Sequence, residues 1–95
     1  MTPLPYELLF KPSFFKDLKR LPKEIRDRLT LVFENIRRDP FAVAAKRLVG
    51  YTDLYRYRLG DYRLVYYVKR NERKIMILLI AHRKEVYRFL IKGGL

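Results

Sequence analysis

Two alternating runs separated by only two residues constrain this chain more than any other feature. Leu54–Leu59 puts Arg56 and Arg58 on one side and Tyr55, Tyr57 and Leu59 on the other, the period of a β-strand. Tyr62–Val68 repeats the pattern: Arg63, Val65 and Tyr67 on one side, and Tyr62, Leu64, Tyr66 and Val68 on the other. Between them, Gly60-Asp61 fits a two-residue hairpin turn, glycine first, as a type II′ turn prefers. Such a turn fixes the register. The result is a hairpin with an aromatic face that must be buried and a face carrying three arginines.

The flanking segments supply what buries it. Tyr6–Phe10, an apolar run between Pro5 and Pro12, is predicted as a first strand. Ser13 offers a capping hydroxyl to a helix with Phe14, Leu18 and Leu21 on one face. Pro22 breaks that helix and opens a second, which carries Ile25, Leu29, Val32, Phe33 and Ile36 on one stripe and must stop before Pro40. Beyond the hairpin, Arg70-Asn71-Glu72-Arg73 reads as a polar turn, and Ile75–Ala81 as a strand buried on both faces. A short helix over about 86–92 is expected to end at Gly93-Gly94. The order β-α-α-β-β-β-(β)-α predicts a single α+β domain over residues 1–95. Its antiparallel-rich twisted sheet has the helix hairpin on one face and the other face free.

Counts remove several function classes. The chain has 95 residues with no cysteine, so disulfide scaffolds and thiol catalysis are excluded. His82 is the only histidine and cannot build a His-rich metal site; no metal or cofactor is expected. Ser13 is the only serine, at an expected helix start, which disfavours a Ser-His-Asp triad. Four glycines fit neither a P-loop nor a dinucleotide fingerprint. Ile75–Ala81 is far shorter than the ~18 residues of a membrane span. The start of the chain has no signal-peptide pattern, and the expected location is the cytoplasm.

Charge says what the free face is for. The net charge is +12, and residues 46–95 hold thirteen basic against four acidic residues, so the polyanion-facing surface belongs mainly to the second half. Arg56, Arg58 and Arg63 can converge on one site. Two readings stand at this point. One is a solvated basic face that discourages edge pairing; the other is a phosphate cradle, since guanidinium forks match phosphate oxygens in pairs. The segment Ala81-His82-Arg83-Lys84-Glu85-Val86-Tyr87-Arg88 adds an imidazole, another arginine and a tyrosine, expected beside the same face.

The stretch from Leu48 to Tyr66, containing Tyr55-Arg56-Tyr57-Arg58-Leu59-Gly60-Asp61-Tyr62-Arg63, resembles the RelE/ParE superfamily of type II toxin–antitoxin toxins. So do the ending Ala81-His82-Arg83-Lys84-Glu85-Val86-Tyr87 and the early Phe14-Phe15-Lys16-Asp17-Leu18-Lys19-Arg20-Leu21-Pro22. The resemblance covers nearly the whole chain. It implies a RelE-like mRNA interferase, a metal-independent endoribonuclease that cuts mRNA in the ribosomal A site through attack of the 2′-hydroxyl on the adjacent phosphate. The catalytic positions it implies are Arg56, Arg58, Arg63, Arg83 and Tyr87, with arginines at Arg56 and Arg58 where many members have lysines. It also implies an acidic RelB-like antitoxin, an encounter with the ribosome and mRNA, and a chain that is a monomer on its own.

Within that reading, Arg63 and Arg83 are expected to hold the scissile phosphate. Arg56 and Arg58 stabilise charge and are poor proton shuttles, because guanidinium stays protonated below pH ~12. Surrounding cations favour a phenolate, making Tyr87 a candidate base. His82 is the alternative acid or base. Lys16, Lys19, Arg26, Arg28, Lys46, Arg47, Lys84 and Arg88 are expected to contact RNA, and Tyr67 to stack on a base. The competing functions are a ParE-like gyrase inhibitor and a non-catalytic basic RNA- or ribosome-binding protein.

Overall fold

The computed structural model describes residues 5–42, 45–48 and 50–91. In chain order the elements are β1 (Glu7–Phe10), α1 (Phe14–Arg20), α2 (Lys23–Arg38), β2 (Ala45–Arg47), β3 (Leu54–Leu59), β4 (Tyr62–Lys69), β5 (Lys74–His82) and α3 (Arg83–Ile91). They form one five-stranded sheet in the order β1-β5-β4-β3-β2. The four later strands are an antiparallel meander, and β1 adds parallel to β5. The optional fourth meander strand is therefore β2, ahead of the hairpin. Among the described residues no helix is long and apolar enough to cross a membrane.

The hairpin forms as its alternation requires. Leu59 pairs with Tyr62 across Gly60-Asp61. Gly60 has φ +57, whereas Asp61 is not among the residues with positive φ. That is the type II′ pattern. Tyr55, Leu59, Leu64, Tyr66 and Val68 turn to one side and pack with Phe14, Leu29, Val32 and Ile36 of the helix hairpin. Each such side chain contributes roughly 1.5–3 kcal/mol on burial. Tyr66 is fully buried, and its hydroxyl donates to the Pro40 carbonyl at 2.7 Å.

Four expectations need correction. Ser13 does not cap α1 through its hydroxyl; its backbone angles are already helical, and its carbonyl accepts from the N–H groups of Lys16 and Asp17. The sheet's second face is only partly free. Leu48, Leu54, Val65, Leu79 and Val86 form a small core there, which docks α3 on the arginine side. Helix α3 begins at Arg83, three residues before the expected start, because its first N–H groups find acceptors at once. The Arg83 N–H donates to the Asp61 carbonyl at 2.8 Å and the Lys84 N–H to His82 Nδ1 at 3.3 Å. The expected helix end at residue 92 and the stop at Gly93-Gly94 lie outside the described residues.

The fourth correction concerns β5, which the sequence presents as an unbroken apolar run. Val65 pairs with Leu79 but Tyr66 pairs with Ile77, so Leu78 is an extra residue, a β-bulge. Beyond it the alternation is reversed. Leu79 and Ala81 face the arginine side, while Ile80 and His82 face the helix hairpin. β1 ends opposite Ile77, and among the described residues no strand lies beside the outer edge of β5 past that point. Asp17 of α1 covers part of it: its carboxylate accepts the Ile80 N–H at 3.3 Å.

Candidate functional site

The site grows from the β3–β4 turn. Arg58 stands directly opposite Arg63, and Arg56 lies one same-face step further along β3. The Arg63 guanidinium folds onto the turn: one nitrogen, Nη1, donates to the Gly60 carbonyl at 2.8 Å and the Tyr62 carbonyl at 2.9 Å. Among the described residues neither Nε nor Nη2 has a hydrogen-bond partner, so both can serve an incoming anion. The next carbonyl of the same turn, from Asp61, anchors Arg83 at the start of α3. Arg83 and Tyr87 are four residues apart on that helix and so share one of its faces.

Electrostatics reports the same convergence. Burial first, and then the guanidiniums of Arg58, Arg56 and Arg83, hold the Arg63 pKa below the usual arginine value, while Tyr87 opposes the shift. Among the described residues none of Arg56, Arg58, Arg63 and Arg83 forms a salt bridge. Asp53, one of the two acids nearest in sequence, is turned to Arg70 instead, at 2.8 Å. That arginine also donates to the Tyr55 hydroxyl at 2.9 Å and lies 4.4 Å over the Phe41 ring. Guanidiniums gathered with no ion-pair partner among the described residues are an unfavourable arrangement that a bound polyanion relieves.

Arg56, Arg58, Arg83 and Tyr87 thus all lie within electrostatic reach of Arg63, and Tyr87 is 56% exposed. His82 is not brought to them. The bulge at Leu78 turns it to the hairpin side, opposite Tyr62, whose ring meets the imidazole edge-on at 5.7 Å. The expectation that His82 lies beside the arginines is corrected by that change of parity.

The residues expected to contact RNA divide between two layers. Lys46 pairs with Arg56 and Tyr67 with Leu54, so both belong to the arginine side; Tyr67 is 37% exposed. Arg47 pairs with Tyr55 and points to the other side. Lys16, Lys19, Arg26 and Arg28 are exposed on α1 and α2, in the layer behind the sheet. Lys84 and Arg88 are exposed on α3. Tyr55, Tyr57, Tyr62 and Tyr66 pack under the helix hairpin, as their alternation predicts. Sequence reasoning missed Leu48 as a support for α3 and Asp17 as the acceptor on the edge of β5. Neither stands in a pattern that announces it.

Comparison with known proteins supplies a second line. Residues 8–87 match the model of the ParE toxin family of type II toxin–antitoxin systems. The chain is 33% identical over 85 residues to toxin RelE3 of Methanocaldococcus jannaschii, covering 85% of this chain and 94% of that one. Among solved structures, it resembles the RelB–RelE antitoxin–toxin complex of Methanococcus jannaschii (TM-score 0.71, 32% identity, 83% of this chain and 94% of that one). It also resembles the isolated E. coli RelE toxin (TM-score 0.71, 28% identity, 95% and 99%).

Proposed function

The chain belongs to the ParE toxin family and is a toxin of a RelBE-type toxin–antitoxin system, and from that premise we propose that it is a ribosome-dependent mRNA endonuclease. The observation that carries this reading is that Arg56, Arg58 and Arg83, with the exposed Tyr87, lie within electrostatic reach of Arg63, and that among the described residues none of the four arginines forms a salt bridge. In-line attack of a ribose 2′-oxygen on the adjacent phosphate builds negative charge on the phosphorane oxygens, and preorganised donors at that point lower the barrier. Arg63, through Nε and Nη2, and Arg83 hold the scissile phosphate. Arg56 and Arg58 stabilise the added charge and the flanking phosphate. Tyr87 is the proposed general base, its phenolic oxygen taking the 2′-hydroxyl proton as the new O–P bond forms. The bond from phosphorus to the 5′-oxygen then breaks, and that oxygen takes a proton from water. The products are a 2′,3′-cyclic phosphate and a 5′-hydroxyl.

An acidic antitoxin segment is the proposed partner, since it would supply the carboxylates that the arginine face lacks. Helix α3 suits displacement by such a segment, because among the described residues Val86 is the side chain it buries in a core of five. Inhibition in this reading is both charge neutralisation and removal of Tyr87 from the site.

The test is expression of the chain followed by mapping of mRNA ends, with and without ribosomes. Ribosome-dependent cuts bearing 2′,3′-cyclic phosphates support the reading. Intact mRNA with arrested gyrase would overturn it in favour of a gyrase inhibitor, and ribosome binding with no cuts would leave a non-catalytic binding protein.

A further inference from the structure

We infer that His82 is a positioning residue for cleavage: from the sheet face opposite the arginines, its imidazole caps α3 and thereby sets where Arg83 and Tyr87 stand. The inference rests on the endonuclease reading and assigns a part of its machinery that lies outside the reacting group. The first turn of a helix leaves N–H groups without helical partners. In α3 two of them are met at fixed points, Arg83 N–H at the Asp61 carbonyl and Lys84 N–H at His82 Nδ1. The first of these bonds ties the helix to the turn that holds Arg63; the second ties it to β5.

Imidazole is not among the side chains that usually cap helices. It serves here because the ring is held. Tyr62 meets it edge-on at an interplanar angle of 76°. It shares a cavity of about 150 Å³ with Asp17 and Arg20 of α1 and Glu85 of α3. A ring whose Nδ1 accepts a backbone N–H, and which points away from Arg63, is not placed to exchange a proton with substrate on the other face.

Among the described residues, α3 is tied to the sheet by Val86 in the small core and by the two bonds of its first turn. If the first turn loosens, α3 can pivot about Val86, carrying Arg83 and Tyr87 together because they share a helical face. A displacement of about 1 Å at a reacting centre can cost as much as 10²-fold in rate.

The experiment compares His82→Ala with His82→Asn in the full chain, using ribosome-programmed mRNA and rates expressed per folded molecule. His82→Ala should lower kcat by about 10- to 10²-fold with little change in KM. His82→Asn, which has a strong capping amide but no titratable ring, should restore the rate to within about two-fold and leave the pH profile unchanged. Amide hydrogen exchange at Lys84 should accelerate in the alanine variant and not in the asparagine variant. An asparagine variant as slow as alanine, with an altered pH profile, would overturn the inference in favour of direct proton transfer. An alanine variant that cuts at the wild-type rate would also overturn it. If His82→Ala does not fold, the asparagine variant and its Lys84 exchange still decide. A wild-type chain that cuts no mRNA defeats the endonuclease reading itself, and Lys84 exchange then reports separately on whether His82 is the cap.

Discussion

Arg58 and Arg63 face each other directly across the β3–β4 hairpin, two like charges in a paired position with no salt bridge to either among the described residues. Like charges opposed in this way destabilise a sheet. Part of the cost is met by the turn, whose Gly60 and Tyr62 carbonyls take the Arg63 guanidinium. A fold selected for stability alone would place an acid here. Arg58→Gln should therefore raise stability by roughly 0.2–1 kcal/mol, read from a denaturant midpoint, while lowering mRNA cleavage.

Arg63→Lys keeps a positive charge but loses the planar fork, and Tyr87→Phe keeps the ring but loses the base. Each should lower cleavage of ribosome-bound mRNA by about 10²–10³, with ribosome binding retained. Single-turnover rates beside a sedimentation assay separate the two quantities. Full cleavage by both variants would refute the assigned roles.

Burial holds the Asp17 carboxyl above its usual pKa; Glu85 adds to the shift, and the bond from Ile80 with the Arg20 and Lys11 charges opposes it. The folded-state pKa thus lies above the unfolded one. The associated stability is complete below the unfolded value, near 3.8, and is lost as pH rises through the folded value. Asp17→Asn should match wild type at the acid end and gain on it toward neutrality. Asp17→Ala should lose stability, since the Ile80 N–H then has no acceptor. Urea titrations across pH 3–7 would check both.

Tyr66 is fully buried, and its hydroxyl donates to the Pro40 carbonyl. Burial raises its pKa well above the usual tyrosine value. Tyr66→Phe should cost about 1–2 kcal/mol, because it strands a carbonyl where α2 turns toward β2. Equilibrium unfolding measures this directly.

Lys46 stands on the arginine side, opposite Arg56, whereas Arg28 is exposed on α2 behind the sheet. Lys46→Ala should weaken binding of a short single-stranded RNA and reduce its log–log salt slope by about 0.7. Arg28→Ala should lower affinity for ribosomes more than for short RNA. Equal effects of the two variants on both ligands would argue against a division between the two layers.

Sequence alone determined the hairpin and its two faces, because alternation at period two and a two-residue turn leave a strand pair almost no freedom. Arg56, Arg58 and Arg63 were legible for that reason, as was the packing of Tyr55, Tyr57, Tyr62 and Tyr66 on the opposite face. The helix hairpin was legible from the spacing of its apolar residues. The side to which His82 turns was not. Ile75–Ala81 is apolar at every position, so it carries no alternation, and a single extra residue at Leu78 reverses the face of everything after it. Only pairing with β4 fixes that bulge. The start of α3 was hidden for a related reason: its acceptors, the Asp61 carbonyl and the His82 ring, come from a turn twenty-two residues away and from the end of a strand. Local chemistry placed the arginines; contacts between distant segments decided that His82 would cap the helix beside them.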